Sequence, residues 1–232
     1  MKTQRFRHAL IFILYLISNF AFGQFYHLSD SLTSPNPQWT GDTAWMKYTK
    51  QGLQSNAPSA GSLIWRRSSL AGLNAEWRLN VSMGFNPSSA NYSEFRFLEN
   101  GSSYYAIQLG GNTSDNLSLI LHAPFKDTVI GHIPNYVDDN NPQVSLKILR
   151  DSAAKFLVYS DDSLLFTCAD STIIRSESLS IYARYTSTRV DKFLFSNLLA
   201  EGYDFPDTLG PSILRCAVLN PFSIEVKWNE WC

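Results

Sequence analysis

Charge is scarce in this sequence: Asp, Glu, Lys and Arg make up 17% of its 232 residues, against about a quarter in an ordinary globular chain. Nineteen basic and 20 acidic residues leave a net charge of -1. That excludes the basic field nucleic-acid binding requires, and no acidic field replaces it. Cysteine is rarer still, with only Cys168, Cys216 and Cys232. Their spacing forms no disulfide framework, although an exported chain could oxidise two of them. Cys168, at the end of Leu164-Leu165-Phe166-Thr167-Cys168, reads as a buried thiol acting as a small hydrophobe. Past residue 23, His27, His122 and His132 show no spacing that gathers ligands on one element, and no Ser or Cys stands in a nucleophile elbow. Long apolar runs are missing there too, so no membrane span is expected in the mature chain. No fixed-period repeat or low-complexity tract is present.

Lys2, Arg5, Arg7 and His8 begin the chain with positive charge, Ala9 to Phe22 follow as an apolar run, and Ala21-Phe22-Gly23 supplies a small-residue cleavage site. Residues 1–23 therefore read as a signal peptide cut before Gln24, which predicts secretion or display at the cell surface. Apolar residues make up 44% of the sequence and aromatics 14%, enough to exclude disorder. Ser, Thr and Asn account for a quarter of the residues, a composition suited to short strands joined by polar turns. The chain from Gln24 onward is long enough to bury roughly 70–75% of its unfolded surface in one core.

Between Phe25 and Leu199, turn signals recur every eight to twelve residues and apolar positions alternate, which is strand periodicity. Ala75, Trp77, Leu79, Val81 and Met83 share one face, and Glu76, Arg78, Asn80 and Ser82 the other. Asn100-Gly101 marks a hairpin between Tyr92–Leu98 and a strand on which Tyr105, Ile107 and Leu109 oppose Tyr104, Ala106 and Gln108. Further strands are expected at 117–123, 128–133, 144–150, 155–160, 164–169, 179–185 and 192–199, with weaker ones at 25–32, 44–48 and 62–65. A dozen or more strands exceed what one open sheet holds without splitting, and short polar links favour an antiparallel meander. The expected fold is all-β, two antiparallel sheets packed face to face. Composition changes near Tyr203: Asp204-Phe205-Pro206-Asp207 and Gly210-Pro211 resemble a linker, and two new strands follow at 213–218 and 223–228.

Five segments occurring in order carry a resemblance: Thr33-Ser34-Pro35-Asn36-Pro37-Gln38-Trp39-Thr40-Gly41-Asp42-Thr43, then Gly84-Phe85-Asn86-Pro87-Ser88-Ser89-Ala90-Asn91-Tyr92 and Tyr104-Tyr105-Ala106-Ile107-Gln108-Leu109-Gly110-Gly111, followed by Leu146-Lys147-Ile148-Leu149-Arg150-Asp151 and Tyr185-Thr186-Ser187-Thr188-Arg189-Val190-Asp191-Lys192-Phe193. Together they resemble the concanavalin A-like (lectin/glucanase-type) sandwich of large secreted bacterial proteins that also carry lamin-tail domains. The resemblance implies a jelly-roll sandwich over residues 24–202. It also implies that residues 203–232 are a linker and the truncated start of an immunoglobulin-like domain, within a longer multidomain protein. It carries over no catalytic residues.

The same architecture hosts retaining glycosidases, whose two carboxylates stand about 5–5.5 Å apart. On one strand that demands acids two or four residues apart, and none of the 20 acids is so spaced. Glu94 and Glu99, five apart, point to opposite faces of an unbroken strand. The sequence therefore reads as non-catalytic. Asp138-Asp139-Asn140-Asn141 is an oxygen-rich loop of the kind that holds Ca²⁺ in sandwich lectins, though a solvated turn explains it as well. Arg78, Arg96, Gln108, Tyr182 and Arg184 alternate with core positions, so antiparallel pairing could gather them into one ligand-binding surface. Trp39, Trp45 and Trp65 are further candidate stacking platforms. The expectation is an extracellular module binding a glycan or cell-surface polymer, or acting in adhesion. The alternatives are a divergent glycoside hydrolase or lyase of the same fold, and a structural spacer.

Overall fold

The computed structural model describes residues 23–111 and 115–205, together with the backbone of 213–220 and 223–228. The signal peptide expected at residues 1–23 thus lies almost wholly outside the described residues. Two antiparallel sheets hold the sandwich, with strands numbered in chain order. One sheet runs β13 (Ser163–Ala169), β12 (Lys155–Ser160), β11 (Gln143–Arg150), β6 (Leu73–Met83), β15 (Phe193–Tyr203), β4 (Gly52–Ser55), β3 (Met46–Thr49), with β1 (Phe25–Asp30) as its eighth strand, also on β15. The other has seven strands in the order β10 (Lys126–Ile133), β9 (Leu117–Ala123), β8 (Ser103–Leu109), β7 (Tyr92–Asn100), β14 (Ser178–Tyr185), β5 (Gly61–Ser68), β2 (Thr40–Gly41). Strands β16 (Ile213–Asn220) and β17 (Ser223–Trp228) form a separate antiparallel hairpin, and the compact sandwich unit spans Phe25–Phe205.

Alternation along β6 explains how the interior is filled. Trp77 and Leu79 are fully enclosed, while Arg78 between them is exposed. Trp77 packs on Phe97 of β7 at 4.9 Å, Phe97 on Phe156 of β12 at 6.0 Å, and Tyr105 of β8 on Phe156 at 5.0 Å. Trp65 of β5 meets Phe195 of β15 edge-on at 5.9 Å. Each of these pairs joins one sheet to the other. Burying side chains of this size contributes about 1.5–3 kcal/mol apiece, and aromatic geometry adds to the area term.

A meander accounts for β7–β10 and for β11–β13 only. Apart from the β3–β4 hairpin, the chain elsewhere in the sandwich changes sheets, even through links as short as 69–72 between β5 and β6. Sheets packed about 10 Å apart are within reach of four extended residues, so link length does not distinguish a hairpin from a crossover. The sequence also hides β4, and a 3-10 turn at Thr43–Trp45 occupies the start of the strand expected at 44–48.

One irregularity positions the outer face of the seven-stranded sheet. The register of β7 slips between Arg96 and Leu98 against β8, and between Arg96 and Glu99 against β14. Phe97 and Leu98 are both fully buried, as a bulge with one extra residue requires. The alternation is thereby inverted past the bulge, and Glu99 emerges on the same side as Glu94 and Arg96. At the far edge of the other sheet, β1 and β15 pair over six positions from Phe25 opposite Tyr203 to Asp30 opposite Leu198, with the two terminal rings 5.3 Å apart.

Candidate functional site

Cross-strand register assembles the outer face of the seven-stranded sheet rung by rung. Ser62, Arg184 and Tyr92 occupy one rung across β5, β14 and β7, and Ile64, Tyr182, Glu94 and Gln108 the next, now reaching β8. The third holds Arg66, Ser180, Arg96 and Ala106, and the fourth Ser178, Glu99, Tyr104 and His122, with β9 extending the second and third rungs as well through Ser118 and Ile120. Arg96, Gln108, Tyr182 and Arg184 of the sequence-derived set therefore share this surface. Arg78 does not. It lies on β6, in the other sheet, paired with Lys147 across the strands and bonded to Glu76. Its alternation with core residues is real, but alternation fixes only an outward direction and not which sheet the strand joins.

The aromatic and planar groups on this face form a continuous stack. The Arg96 guanidinium lies 4.2 Å from the centre of the Tyr104 ring and 4.4 Å from that of Tyr182. His122, one strand further out, stacks on Tyr104 at 4.6 Å, and Tyr92 leans on Tyr182 at 5.9 Å. The ring faces are thus largely taken by their neighbours, and what the stack offers outward is its polar rim of hydroxyls and ring nitrogens. Burial pushes the Tyr92 hydroxyl up to about 12, with Tyr182 and Glu94 adding to the rise, and it pushes Tyr104 up as well. Both phenols consequently keep their protons at neutral pH and can donate.

Glu94 and Glu99 stand beneath this rim, nearly enclosed at 5% and 2% exposure. Arg96 donates to Glu94 Oε2 through Nε at 2.9 Å and Nη2 at 2.8 Å, and Gln108 Nε2 donates to Oε1 at 2.9 Å. Glu99 receives Arg66 Nε at 3.1 Å, Ser178 Oγ at 2.7 Å and Ser180 Oγ at 2.5 Å. All four carboxylate oxygens are engaged by protein donors, which is how buried charge is tolerated. The placement of these two acids on opposite faces of one strand, expected from the sequence, is corrected by the β7 bulge. Tyr104 was legible, since it shares the phase of Gln108; Glu99 was not, because nothing in Glu94-Phe95-Arg96-Phe97-Leu98-Glu99 announces the extra residue.

The tryptophans do not serve as platforms in the way their sequence positions allow. Trp65 is wholly buried and donates Nε1 to the Asp42 carbonyl at 2.9 Å; Trp39 is buried and donates to Asp30 Oδ2 at 3.3 Å. Trp45 is half-buried against the core. In the 138–141 loop, Asp138 accepts from Asn86 Nδ2 at 2.9 Å and Asp139 from the Asn141 amide at 2.9 Å. Asp115 is held up by burial and by the nearby charge of Asp138. Among the described residues no three His, Cys, Asp or Glu side chains gather. A shallow cleft of about 380 Å³ on the other sheet's outer face is lined by short polar residues such as Asn80, Ser82 and Ser145. It has no aromatic lining.

No protein-family model matches the sequence, and neither does any curated protein. Solved structures do match the fold. The carbohydrate-binding module CBM66 from Bacillus subtilis is 15% identical with a TM-score of 0.55, the match covering 71% of this chain and 96% of that one. A Bacillus licheniformis beta-glucanase is 11% identical at a TM-score of 0.57, over 76% and 97% of the two chains. A Bacillus subtilis protein with a galectin-like fold is 9% identical at 0.57, over 79% and 97%. The fold is therefore a concanavalin A-like jelly-roll sandwich, as the sequence led one to expect. At these identities the likeness extends to the fold alone.

Proposed function

We propose that the protein is a non-catalytic glycan-binding module of a secreted or surface protein, and that its ligand lies on the outer face of the seven-stranded sheet. The observation that carries this reading is the stack His122–Tyr104–Arg96–Tyr182–Tyr92, flanked by Gln108 and Arg184 and anchored from below by Glu94. A sugar is recognised by donors and acceptors set at fixed positions. Here the planar groups hold one another in place on regular strands, so little side-chain freedom is left to lose when a ligand docks. That a solved sandwich of this fold, CBM66, is a carbohydrate-binding module supports the assignment. Export and attachment to further domains, as in the lamin-tail proteins the sequence resembles, belong to the same proposal.

A second reading, a glycoside hydrolase, is favoured by one observation: the bulge delivers Glu94 and Glu99 to the same face, and glucanases share the fold. Against it stands the engagement of all four carboxylate oxygens, since one acid of a hydrolytic pair must hand a proton to the leaving group and the other must attack or activate water. Affinity electrophoresis and reducing-sugar release on one polysaccharide panel separate the two. Retardation without hydrolysis is the expected result. Hydrolysis lost in both Glu94→Gln and Glu99→Gln would establish the enzyme instead, and no retardation by any polymer would leave only a spacer.

A further inference from the structure

Charge on the candidate face is not balanced from end to end. Arg96 is consumed by Glu94, and Arg66 by Glu99. Arg184, on the end rung, has no carboxylate partner among the described residues, although it stands exposed in a protein of net charge -1. Its strand neighbours are Ser62 and Tyr92, both hydroxyl-bearing. Glu94, one rung away, cannot compensate it, because both of its oxygens are already taken by Arg96 and Gln108. A guanidinium beside a phenol that retains its proton, at the margin of a surface otherwise neutralised pair by pair, is a receptor for a planar or tetrahedral oxyanion.

Resting on the glycan-binding reading, we propose that Arg184, with the Tyr92 hydroxyl, takes the anionic substituent of an acidic sugar, so that the ligand is a glycan bearing ring carboxylates or sulfate esters. Gln108 and the rim of Tyr182 and Tyr104 would then meet the neutral hydroxyls of the same chain. Neutral glycans reach these partners too but leave the guanidinium with water.

The test is affinity electrophoresis of the intact protein against three polymers: polygalacturonate as the carboxylate source, a sulfated galactan as the sulfate source, and a neutral galactan. Binding to at least one acidic polymer about tenfold tighter than to the neutral one is expected, weakening as salt rises from about 0.05 to 0.5 M while neutral binding does not. Arg184→Ala should abolish the preference, bringing binding of the acidic polymers down to the level of the neutral one. Arg184→Lys should restore part of it, and Arg78→Ala, on the opposite sheet, should change nothing. Whichever acidic polymer is favoured identifies the oxyanion. Equal or tighter binding to the neutral polymer, or a preference that survives Arg184→Ala, overturns the inference while glycan binding stands. Failure to bind all three overturns it as well, and failure across the wider panel removes the reading beneath it.

Discussion

Removing the Glu99 carboxylate should expose how the β7 bulge is held. In Glu99→Ala three hydrogen bonds disappear together. The Arg66 side chain is 48% exposed, so its ion pair contributes only about 0–1 kcal/mol after solvent screening. Ser180 is fully buried and would lose its hydrogen-bond acceptor, which costs about 1–3 kcal/mol. The expected loss is thus about 1–4 kcal/mol. Ser180→Ala alone should cost about 1 kcal/mol, and the double variant should be no less stable than Glu99→Ala, because the orphaned hydroxyl has gone. Urea denaturation followed by the fluorescence of the core tryptophans measures all four proteins, with unchanged m-values confirming a common unfolding transition. The cycle should show a coupling of about 1–2 kcal/mol. Glu99→Ala within about 0.5 kcal/mol of the parent, or strictly additive effects, would mean that Glu99 does not sit where the bulge puts it.

Trp77 is enclosed between the sheets while its Nε1 has no hydrogen-bond partner. Trp77→Ala should therefore cost about 3–5 kcal/mol, whereas Trp77→Phe, which removes the unsatisfied donor with part of the ring, should cost less than about 1.5 kcal/mol in the same denaturation assay. Burial raises the Cys168 thiol to about 11, with Asp170 adding to the rise. In a C216S/C232S background its alkylation should be slow at pH 8 and accelerate roughly tenfold per pH unit toward pH 10, since the thiolate is the nucleophile. Asp170 is pushed up by desolvation, but hydrogen bonds from Tyr105 and Thr172 and the charge of Arg150 outweigh this and hold it below its ordinary value. Its contribution to stability is present above about pH 4 and is lost as pH falls through the depressed folded value. Unfolding free energy measured from pH 6 to 2.5 should fall less steeply in Asp170→Asn than in the parent.

Much of the architecture is readable in the alternation of residues such as Ala75 through Met83, because a half-buried strand must repeat every two residues. The inward direction of Trp77, Leu79 and Val81 follows from that alone. What alternation cannot convey is which sheet a strand enters. Arg78 and Arg96 look equivalent along the chain, yet pairing sends one to each side of the molecule. Nor does the phase rule survive an inserted residue: Phe97 and Leu98 are both apolar and adjacent, which reads as an ordinary strand although it is the bulge that turns Glu99 outward. Trp39 and Trp65 were ambiguous for a different reason. Large aromatics serve equally as core and as contact surface, and only the hydrogen bonds of their indole nitrogens to Asp30 and Asp42 reveal the first use.

The pairing of Phe25 with Tyr203 brings the entrance and exit of the sandwich to a single corner. Mechanical tension between its two ends would concentrate on the outermost rung and peel β1 from β15 one hydrogen-bonded step at a time, so the fold should yield at low force when stretched through its termini while resisting far higher loads applied across the sheet.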